Sequence, residues 1–366
     1  MKLAIVHDFL NQYGGAEKVI EAMHEVFPSA PIYTSIYNAE SMPGVFRTMD
    51  IRTSFMQRLP FIKKHFKKYF LFYPLAFKCF DLSGYDVILS SSSAYAKGIK
   101  VPKNALHICY CYTPARFIWR YENYIEKERI NIIGKSIISL LTSLLKKWDI
   151  GTSKSVDHFI STCNNVAQRI KDVYGRDSYI IYPPVETGKF YISETTGDYF
   201  LIVSRLNAYK RIDIAIEAFN ELNLPLHVVG TGPQLEYLKN ISGGNIKFLG
   251  KLDDEELSRE YAECRAVIFP GEEDFGIVPL EANASGRPVI AFAAGGALET
   301  VKEGVGGTFF REQTVLSIME AVKRFEQNEK IFASNTIRKN AILFDEQHFK
   351  RNLNKFVARK YFEFSK

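Results

Sequence analysis

The chain has 366 residues, of which 46% are hydrophobic, and it carries a formal net charge of +6 with a sequence pI of about 8.8. This length suits a globular protein of two domains. The basic balance is too weak to indicate a nucleic-acid-binding protein, but it agrees with anionic ligands or an anionic membrane surface.

No membrane span or secretory leader is predicted. No window holds eighteen apolar residues without charge, and the opening run Met1 to Val6 is too short for a signal peptide. The five cysteines are odd in number and include no Cys-x-x-Cys motif, which is typical of reduced thiols in a cytosolic protein. We therefore expect a cytoplasmic protein, peripheral at the inner face of the membrane if it binds lipid.

The first half begins with a strand–loop–helix unit. The apolar run Leu3 to Val6 predicts a strand, and Ala16 to Phe27 predicts a helix. Between them, Gly14 and Gly15 allow the backbone to approach a ligand at the helix start. A tight connection with no ligand is the alternative interpretation.

Further strands are predicted at 86–90, 106–112 and 158–162, with helical segments between them. This alternation favours a parallel sheet covered on both faces. Two prolines at 183–184 and the polar run 186–198 predict a linker. We therefore predict two βα domains, 1–185 and 186–345.

A stretch of mixed basic and aromatic residues, 61–73, lies in the first half. Lysines next to aromatic rings are typical of segments that bind an anionic membrane surface. An amphipathic helix packed on the sheet is the alternative. Single-stranded nucleic acid also selects such a pattern, but the motifs described next do not fit a nucleic-acid partner.

Two cations follow the first strand of the second half. The strand 199–203 leads into a loop with Arg205 and Lys210, at the end of the strand that faces a ligand in parallel sheets. Arginine binds a diphosphate through two parallel hydrogen bonds, and lysine acts as a point charge. A solvated basic turn is the alternative.

An acidic loop follows the predicted strand 266–270. Glu273 lies in this loop, and Glu281 lies eight residues later on a helix whose first turn contains Pro279. A phosphate at the helix start would have one carboxylate on each side. A charged surface loop and a pair of glycosidase carboxylates are the alternatives.

Other phosphate-binding and metal-binding patterns are incomplete. Gly230-x-Gly232 lacks the last glycine of the dinucleotide fingerprint, and there is no Walker phosphate loop. The carboxylates at 253–256 are predicted to cap the helix that follows them, so we expect no metal ligands there.

The segment from Glu273 to Glu281 resembles the E-x7-E signature of retaining glycosyltransferases, in the form typical of family 4. The spacing of Arg205 and Lys210 resembles the basic pair of the same family. This resemblance implies the α/β fold called GT-B, with two Rossmann-like domains facing across a cleft. It also implies that the last helix, about 346–366, crosses back to the first domain.

The resemblance implies roles for particular residues. Arg205, Lys210 and Glu273 would be catalytic, together with Tyr112, which stands where mannosyltransferase-like members often have a histidine. The donor would be bound by loop and helix-start residues, namely Gly14, Gly15, Gly232, Gly250, Lys251, Phe275, Gly276, Ile277, Val278 and Glu281.

The activity implied is transfer of a sugar with retained configuration, without a metal or other cofactor. The co-substrate would be a nucleotide-diphospho-sugar, with GDP-mannose favoured and a UDP-sugar such as UDP-GlcNAc as the alternative. The acceptor would be a lipid-linked or polysaccharide sugar. A non-catalytic protein that binds sugar nucleotides is the alternative from another class.

Overall fold

The structure is a computed structural model that describes residues 1–119 and 132–366, with side chains from 140 onwards in the second range. The chain divides into two compact units. The first comprises Met1–Pro183 and Phe349–Lys366, and the second comprises Pro184–His348. The domain boundary predicted after residue 185 lies two residues from this division.

The described part of the first unit contains a parallel sheet of seven strands in the order β3-β2-β1-β4-β5-β6-β7. The central strands β1, β4 and β5 are buried along their whole length, as expected for a parallel sheet covered on both faces. The strands are β1 (Leu3–His7), β2 (Ile32–Thr34), β3 (Ile51–Thr53), β4 (Val87–Ser92), β5 (Leu106–Cys111), β6 (His158–Ser161) and β7 (Ser178–Ile180).

Helices cover this sheet. The first of them buries Val19, Ile20 and Met23 against the strands, because these residues recur at helical spacing. The helices are α1 (Gly15–Val26), α2 (Ile62–His65), α3 (Tyr73–Lys78), α4 (Arg116–Trp119), α5 (Ile132–Ser153) and α6 (Asn164–Tyr174).

The second unit contains a parallel sheet of six strands in the order β10-β9-β8-β11-β12-β13. Its strands are β8 (Phe200–Val203), β9 (Leu226–Val229), β10 (Ile246–Gly250), β11 (Val267–Phe269), β12 (Val289–Phe292) and β13 (Gly307–Phe310). Its helices are α7 (Ile212–Leu222), α8 (Leu235–Asn240), α9 (Asp254–Glu263), α10 (Ile277–Ala284), α11 (Ala297–Thr300), α12 (Val315–Asn328) and α13 (Ser334–Ile342).

The acidic run before α9 is a helix cap, as predicted. The Asp253 side chain accepts a hydrogen bond from the backbone N–H of Glu256, and the Glu256 side chain accepts one from Asp253. This reciprocal pair satisfies two amides at the helix start.

The last helix, α14 (Glu346–Phe364), begins at the end of the second unit and packs in the first. It buries Phe349, Leu353, Phe356 and Val357 in the core that contains β1, β4 and β5. The ring of Phe349 meets the ring of Tyr110 edge-on at 5.8 Å. The predicted return of the last helix to the first unit is therefore confirmed.

None of the helices within residues 1–119 and 132–366 is long and apolar enough to cross a membrane.

Candidate active site

The candidate site of the second unit lies where two neighbouring strands end. Strands β8 and β11 are parallel and pair through Leu201 and Val267, so the loops after them leave the sheet at the same edge. Lys210 lies in the first loop and Glu273 in the second, and their side chains form an ion pair. Both are partly exposed, Lys210 at 12% and Glu273 at 27%.

Close packing of the backbone brings these loops together. Gly271 is buried, and a Cβ at this position would lie 3.0 Å from the Cα of Lys210. Because a Cβ contact this short is tighter than most real ones, glycine eases the approach of the loop of Lys210 to the loop of Glu273. Gly271 therefore helps to bring the two charged residues together.

A third loop, after β12, supports the acidic loop from the other side. The N–H of Gly296 donates to the carbonyl of Glu273 at 2.9 Å. A Cβ at Gly295 would lie 2.2 Å from the Glu273 carbonyl, and one at Gly296 would lie 2.2 Å from that of Phe275. Only glycines fit here, so the loop after β12 positions Glu273 by direct backbone contact.

The acidic loop ends at the start of α10. Gly276 precedes the helix with a φ of +84°, a left-handed conformation that favours glycine. Ile277 and Val278 are the first two helical residues, and their side chains are half-buried. Amides in a first turn have no partner within the helix, and the positive end of the helix dipole lies there. This end of α10 can bind an anion such as a phosphate.

Glu281 is the fifth residue of α10 and is buried, with 8% exposure. Its Oε2 accepts a hydrogen bond of 2.8 Å from the hydroxyl of Tyr261, which lies on α9. Burial, with the Glu281 carboxylate adding to it, raises the pKa of Tyr261 well above the usual value, so this hydroxyl keeps its proton and donates. Tyr261 therefore orients Glu281, and sequence patterns did not indicate this partner.

The other predicted donor-binding residues of the second unit lie around the same edge. Arg205 is exposed, and among residues 1–119 and 132–366 its guanidinium has no ion-pair partner. Lys251 is also exposed, directly after β10. Phe275 is buried, and its ring lies 6.0 Å from that of Phe344.

Packing accounts for two of the predicted glycines. A Cβ at Gly232 would lie 2.5 Å from the carbonyl of Leu206, so the loops after β8 and β9 touch at this point. Gly250 has a φ of +71°, and its carbonyl accepts a hydrogen bond of 2.6 Å from the N–H of Gly230. Both positions require glycine for backbone reasons, whether or not a ligand approaches them.

In the first unit, Tyr112 follows β5, and its hydroxyl is engaged within the protein. It donates to the carbonyl of Ala16 at 3.0 Å and accepts from the Oγ of Ser91 at 2.8 Å. Gly14 lies just before α1 and Gly15 begins it, one residue before Ala16. The structure thus places Tyr112 beside the glycine loop and gives its hydroxyl a structural role.

Sequence reasoning missed a buried His7–Glu17 pair beside Tyr112. The Nδ1 of His7 lies 3.2 Å from the carbonyl of Ser91, and because a carbonyl only accepts, Nδ1 carries a proton. The Nε2 faces the Oε1 of Glu17 at 3.8 Å. A histidine at the end of a strand was the only sequence signal for this pair.

Asp8, the residue after His7, closes the same edge. Both of its oxygens accept hydrogen bonds, from the N–H groups of residues 93–96 and from the Oγ of Ser93, at 2.6–2.9 Å. A carboxylate that accepts five hydrogen bonds and is 1% exposed is part of the framework. It holds the loop after β1 to the loop after β4.

Across the described ranges, no group of three or more His, Cys, Asp or Glu side chains has the arrangement to hold a metal ion.

Part of the second unit is similar to a known protein family. Residues 189–343 match the family model described as Glycosyl transferases group 1. This match contains Arg205, Lys210, Glu273 and Glu281, and it covers most of the second unit.

Several curated relatives are named mannosyltransferases. The chain is 29% identical to O-antigen chain mannosyltransferase C of Escherichia coli over 167 residues, which are 42% of this chain and 45% of the relative. It is 37% identical to a GDP-mannose-dependent alpha-mannosyltransferase of Corynebacterium glutamicum over 106 residues, 29% and 25% of the two chains. The chain thus spans less than half the length of these two relatives.

A solved structure covers almost the whole chain. Sucrose-phosphate synthase from Thermosynechococcus elongatus superposes with a TM-score of 0.77 over 99% of both chains, at 16% sequence identity. This likeness shows the fold, and it agrees with the two parallel sheets described above. The chain therefore has the GT-B fold, and residues 189–343 of its second unit resemble the Glycosyl transferases group 1 model.

Proposed function

We propose that this chain is a retaining glycosyltransferase of the family 4 type that transfers mannose from GDP-mannose to a lipid-linked or polysaccharide sugar. The observation that carries the proposal is the contact between Lys210 and Glu273 beside the start of α10. In a nucleotide sugar the diphosphate and the sugar are directly bonded, so they require a cation and a hydrogen-bond acceptor that are neighbours.

In the proposed complex, the diphosphate binds at the start of α10 and takes Lys210 away from Glu273. Arg205, exposed on the same loop as Lys210, adds a second cation. Glu273 then accepts hydrogen bonds from the sugar hydroxyls, and Glu281, held by Tyr261, accepts from the ribose.

The chemical step follows from these contacts. The bond between the anomeric carbon and the phosphate oxygen breaks, while Lys210, Arg205 and the helix start stabilise the negative charge on the phosphate. The acceptor oxygen bonds to the anomeric carbon on the same face, and its proton passes to the departing phosphate oxygen. Configuration is retained, and no separate protein base is needed.

The donor is the first point to test. Thermal unfolding with GDP, UDP and ADP should show the largest stabilisation with GDP, since a ligand that binds only the folded state raises its stability. A larger shift with UDP would favour the UDP-sugar alternative. The names of the two relatives support the mannose assignment.

Catalysis is tested by slow hydrolysis of GDP-mannose without an acceptor. A transferase should release mannose, and Arg205→Ala should slow this release, whereas Arg259→Ala, at an exposed arginine on α9, should not. Binding of GDP-mannose without any release would support the non-catalytic alternative.

Activity should also survive chelation by EDTA. A loss of activity that Mg²⁺ or Mn²⁺ restores would contradict the metal-free mechanism.

A further inference from the structure

The positive charge of this protein is concentrated in one segment of the first unit. Residues 51–80 contain seven Lys and Arg and no Asp or Glu. Because the whole chain has a net charge of +6, all the other residues together have a net charge of −1. The net positive charge of the chain is therefore carried by this segment.

One side of the segment is anchored in the core. Ile62, Tyr73 and Phe77 are buried in the cluster that contains residues of β1 and β4. The ring of Tyr73 stacks on that of Tyr95 at 4.6 Å, and the N–H of Tyr95 donates to Asp8. The segment is thus tied, within the first unit, to the loops after β1 and β4.

The other side presents large apolar groups to solvent. Phe61 is 80% exposed, and Leu71, Phe72 and Leu75 are about half exposed. Phe61 has a φ of +52°, which is unusual for a bulky residue. The amides of Lys64 and His65 both donate to its carbonyl and hold this conformation.

Tyr69 connects the two exposed phenylalanines. Its hydroxyl donates to the carbonyl of Pro60 at 2.8 Å, next to Phe61, and its ring lies 6.0 Å from that of Phe72. Phe72 and Leu75 are three residues apart at the start of α3, so they lie on the same side of that helix.

Four exposed lysines belong to the same segment, namely Lys63, Lys64, Lys67 and Lys68. Across residues 1–119 and 132–366, none of them has an ion-pair partner. We call these lysines, together with Phe61, Leu71, Phe72 and Leu75, the basic–apolar surface. It combines unpaired cations with exposed apolar groups.

We propose that the basic–apolar surface binds an anionic lipid bilayer. Lysines then contact the headgroups while Phe61, Phe72 and the leucines enter the boundary with the acyl chains. A single-stranded nucleic acid would stack its bases on aromatic rings, and two of the four exposed apolar residues are leucines, which offer no such stacking. The charge and the apolar groups together fit a bilayer.

This inference does not require the proposed activity. Where it is combined with that activity, it rests on the proposed function and gives a reason for a lipid-linked acceptor. The surface is tied through Tyr73, Tyr95 and Asp8 to the edge of the first sheet where β1 ends. Binding to a bilayer would bring that edge close to the headgroups.

The test is co-sedimentation of the full chain with vesicles of phosphatidylcholine alone or mixed with phosphatidylglycerol. We expect binding to the mixed vesicles, weakened by salt, and little binding to phosphatidylcholine alone. Each lysine near an anionic surface contributes about fivefold in affinity. A variant with Lys63→Gln, Lys64→Gln, Lys67→Gln and Lys68→Gln should therefore lose more than about 100-fold.

A second variant separates the apolar contribution from charge. Phe61→Ser with Phe72→Ser should lower affinity for the mixed vesicles about tenfold or more, because buried apolar area adds to the electrostatic attraction. Its affinity should keep the salt dependence of the wild type.

Matched controls come from exposed residues of the second unit. Lys302, Lys323, Lys330 and Lys339 changed to Gln remove the same charge, and Leu316→Ser removes an exposed leucine. These variants should bind like the wild type, apart from a modest effect of net charge. Equal losses in the control and the test quadruple variants would overturn the proposal, because only net charge would then matter.

Two other results would also overturn it. Equal binding to both kinds of vesicle would remove the role of anionic headgroups, and tighter binding to a thymidine oligonucleotide than to mixed vesicles would assign the surface to nucleic acid. Circular dichroism establishes that each variant is folded. Vesicle binding is read without substrate, so failure of the proposed activity and failure of this inference are distinguishable.

Discussion

Two lysine–carboxylate ion pairs, one from each unit, show how the same chemistry serves structure and function. Lys97 and Asp149 of the first unit are 2% and 0% exposed. Lys210 and Glu273 of the second unit are 12% and 27% exposed and lie at the edge of a parallel sheet.

The buried pair has many further partners. Asp149 Oδ2 accepts hydrogen bonds from Trp119 Nε1 at 2.7 Å and from the Tyr174 hydroxyl at 2.8 Å. Lys97 Nζ also donates to the carbonyl of Ala94 at 3.1 Å. Burial by itself lowers the pKa of Lys97. The charge and hydrogen bond of Asp149 together outweigh this effect, so the pKa is raised and the lysine stays charged.

The partly exposed pair, Lys210 and Glu273, can still bind a ligand. Apart from Glu273, the contact described for Lys210 Nζ is the face of the Tyr209 ring at 5.1 Å. A buried charge whose hydrogen bonds are all made within the protein stabilises one conformation. In a partly solvated ion pair, either residue can leave its partner and bind a substrate instead. We therefore expect substitutions at the first pair to affect stability and substitutions at the second to affect activity.

The largest expected effect is at Asp149. Asp149→Ala leaves Lys97 buried without a counter-charge, and breaking a buried pair in this way typically costs about 3–5 kcal/mol in the free energy of unfolding. Urea denaturation measures this loss. The double variant Lys97→Met/Asp149→Leu should recover the part of this loss that comes from the unpaired charge, while Trp119 and Tyr174 still lack their acceptor. A wild-type midpoint for Asp149→Ala would show that the pair is not structural.

At the exposed pair, Lys210→Ala should slow transfer by about 10²–10³, the usual effect of losing one contact to charge that develops in the transition state. The unfolding midpoint should change little, because a partly exposed ion pair contributes little to stability. Steady-state kinetics with Lys302→Ala as the control checks this. Loss of stability with retained turnover would reverse our assignment of the two pairs.

Low pH should destabilise the first unit through protonation of His107, which lies near the start of β5. Burial lowers its pKa to about 4, and its Nδ1–H donates to the carbonyl of Ser155. In the unfolded chain this histidine takes up a proton near pH 6.5. The contribution of neutral His107 to the free energy of unfolding is therefore fully present above that pH and is lost as the pH falls from about 6.5 to about 4. At about 1.4 kcal/mol per pH unit, the loss reaches about 3 kcal/mol.

Removing the histidine isolates this effect. His107→Gln should be less stable than the wild type at pH 7.5, but its stability should depend less on pH between 6.5 and 4. Denaturation midpoints at several pH values, compared for the two proteins, provide the measurement. Parallel pH profiles would mean that His107 does not titrate in this way.

Substitutions of Glu273 and Glu281 should affect different steps, one the transfer of the sugar and the other the binding of the nucleotide. Glu281→Gln should weaken the binding of GDP and of GDP-mannose alike, by about tenfold for one hydrogen-bonded carboxylate. Glu273→Gln should leave GDP affinity nearly unchanged while transfer falls, because its expected contact is with the sugar. Isothermal titration with GDP and turnover with GDP-mannose separate the two. Equal loss of GDP affinity would mean that the donor lies in the opposite orientation.

The smallest expected effect is at Tyr112. Tyr112→Phe removes a hydroxyl that bonds Ser91 and Ala16, at a cost of about 1 kcal/mol in stability. Turnover should fall less than for Lys210→Ala, since this hydroxyl is engaged within the first unit. A loss of turnover as large as that of Lys210→Ala would give Tyr112 a direct role in the reaction.

The sequence by itself determined the elements and the loops that carry chemistry. Continuous apolar runs predicted β1, β5 and β11 because a strand buried on both faces shows itself in its own residues. The positions of Lys210 and Glu273 in loops that follow predicted strands predicted that both lie at the carboxyl edge of a sheet. The strands β2, β3 and β7 were missed, because each has only three residues and, unlike the three-residue β11, includes a polar one.

Only the tertiary structure decided which polar groups are paired with one another. Asp8 meets the amides of residues 93–96 across more than eighty residues of chain, and Lys97 meets Asp149 across fifty-two. No local pattern encodes such contacts, because each depends on how distant segments pack. The same packing bonded the Tyr112 hydroxyl to Ser91 and Ala16, and it left Lys210 and Glu273 partly exposed at the edge of the second sheet.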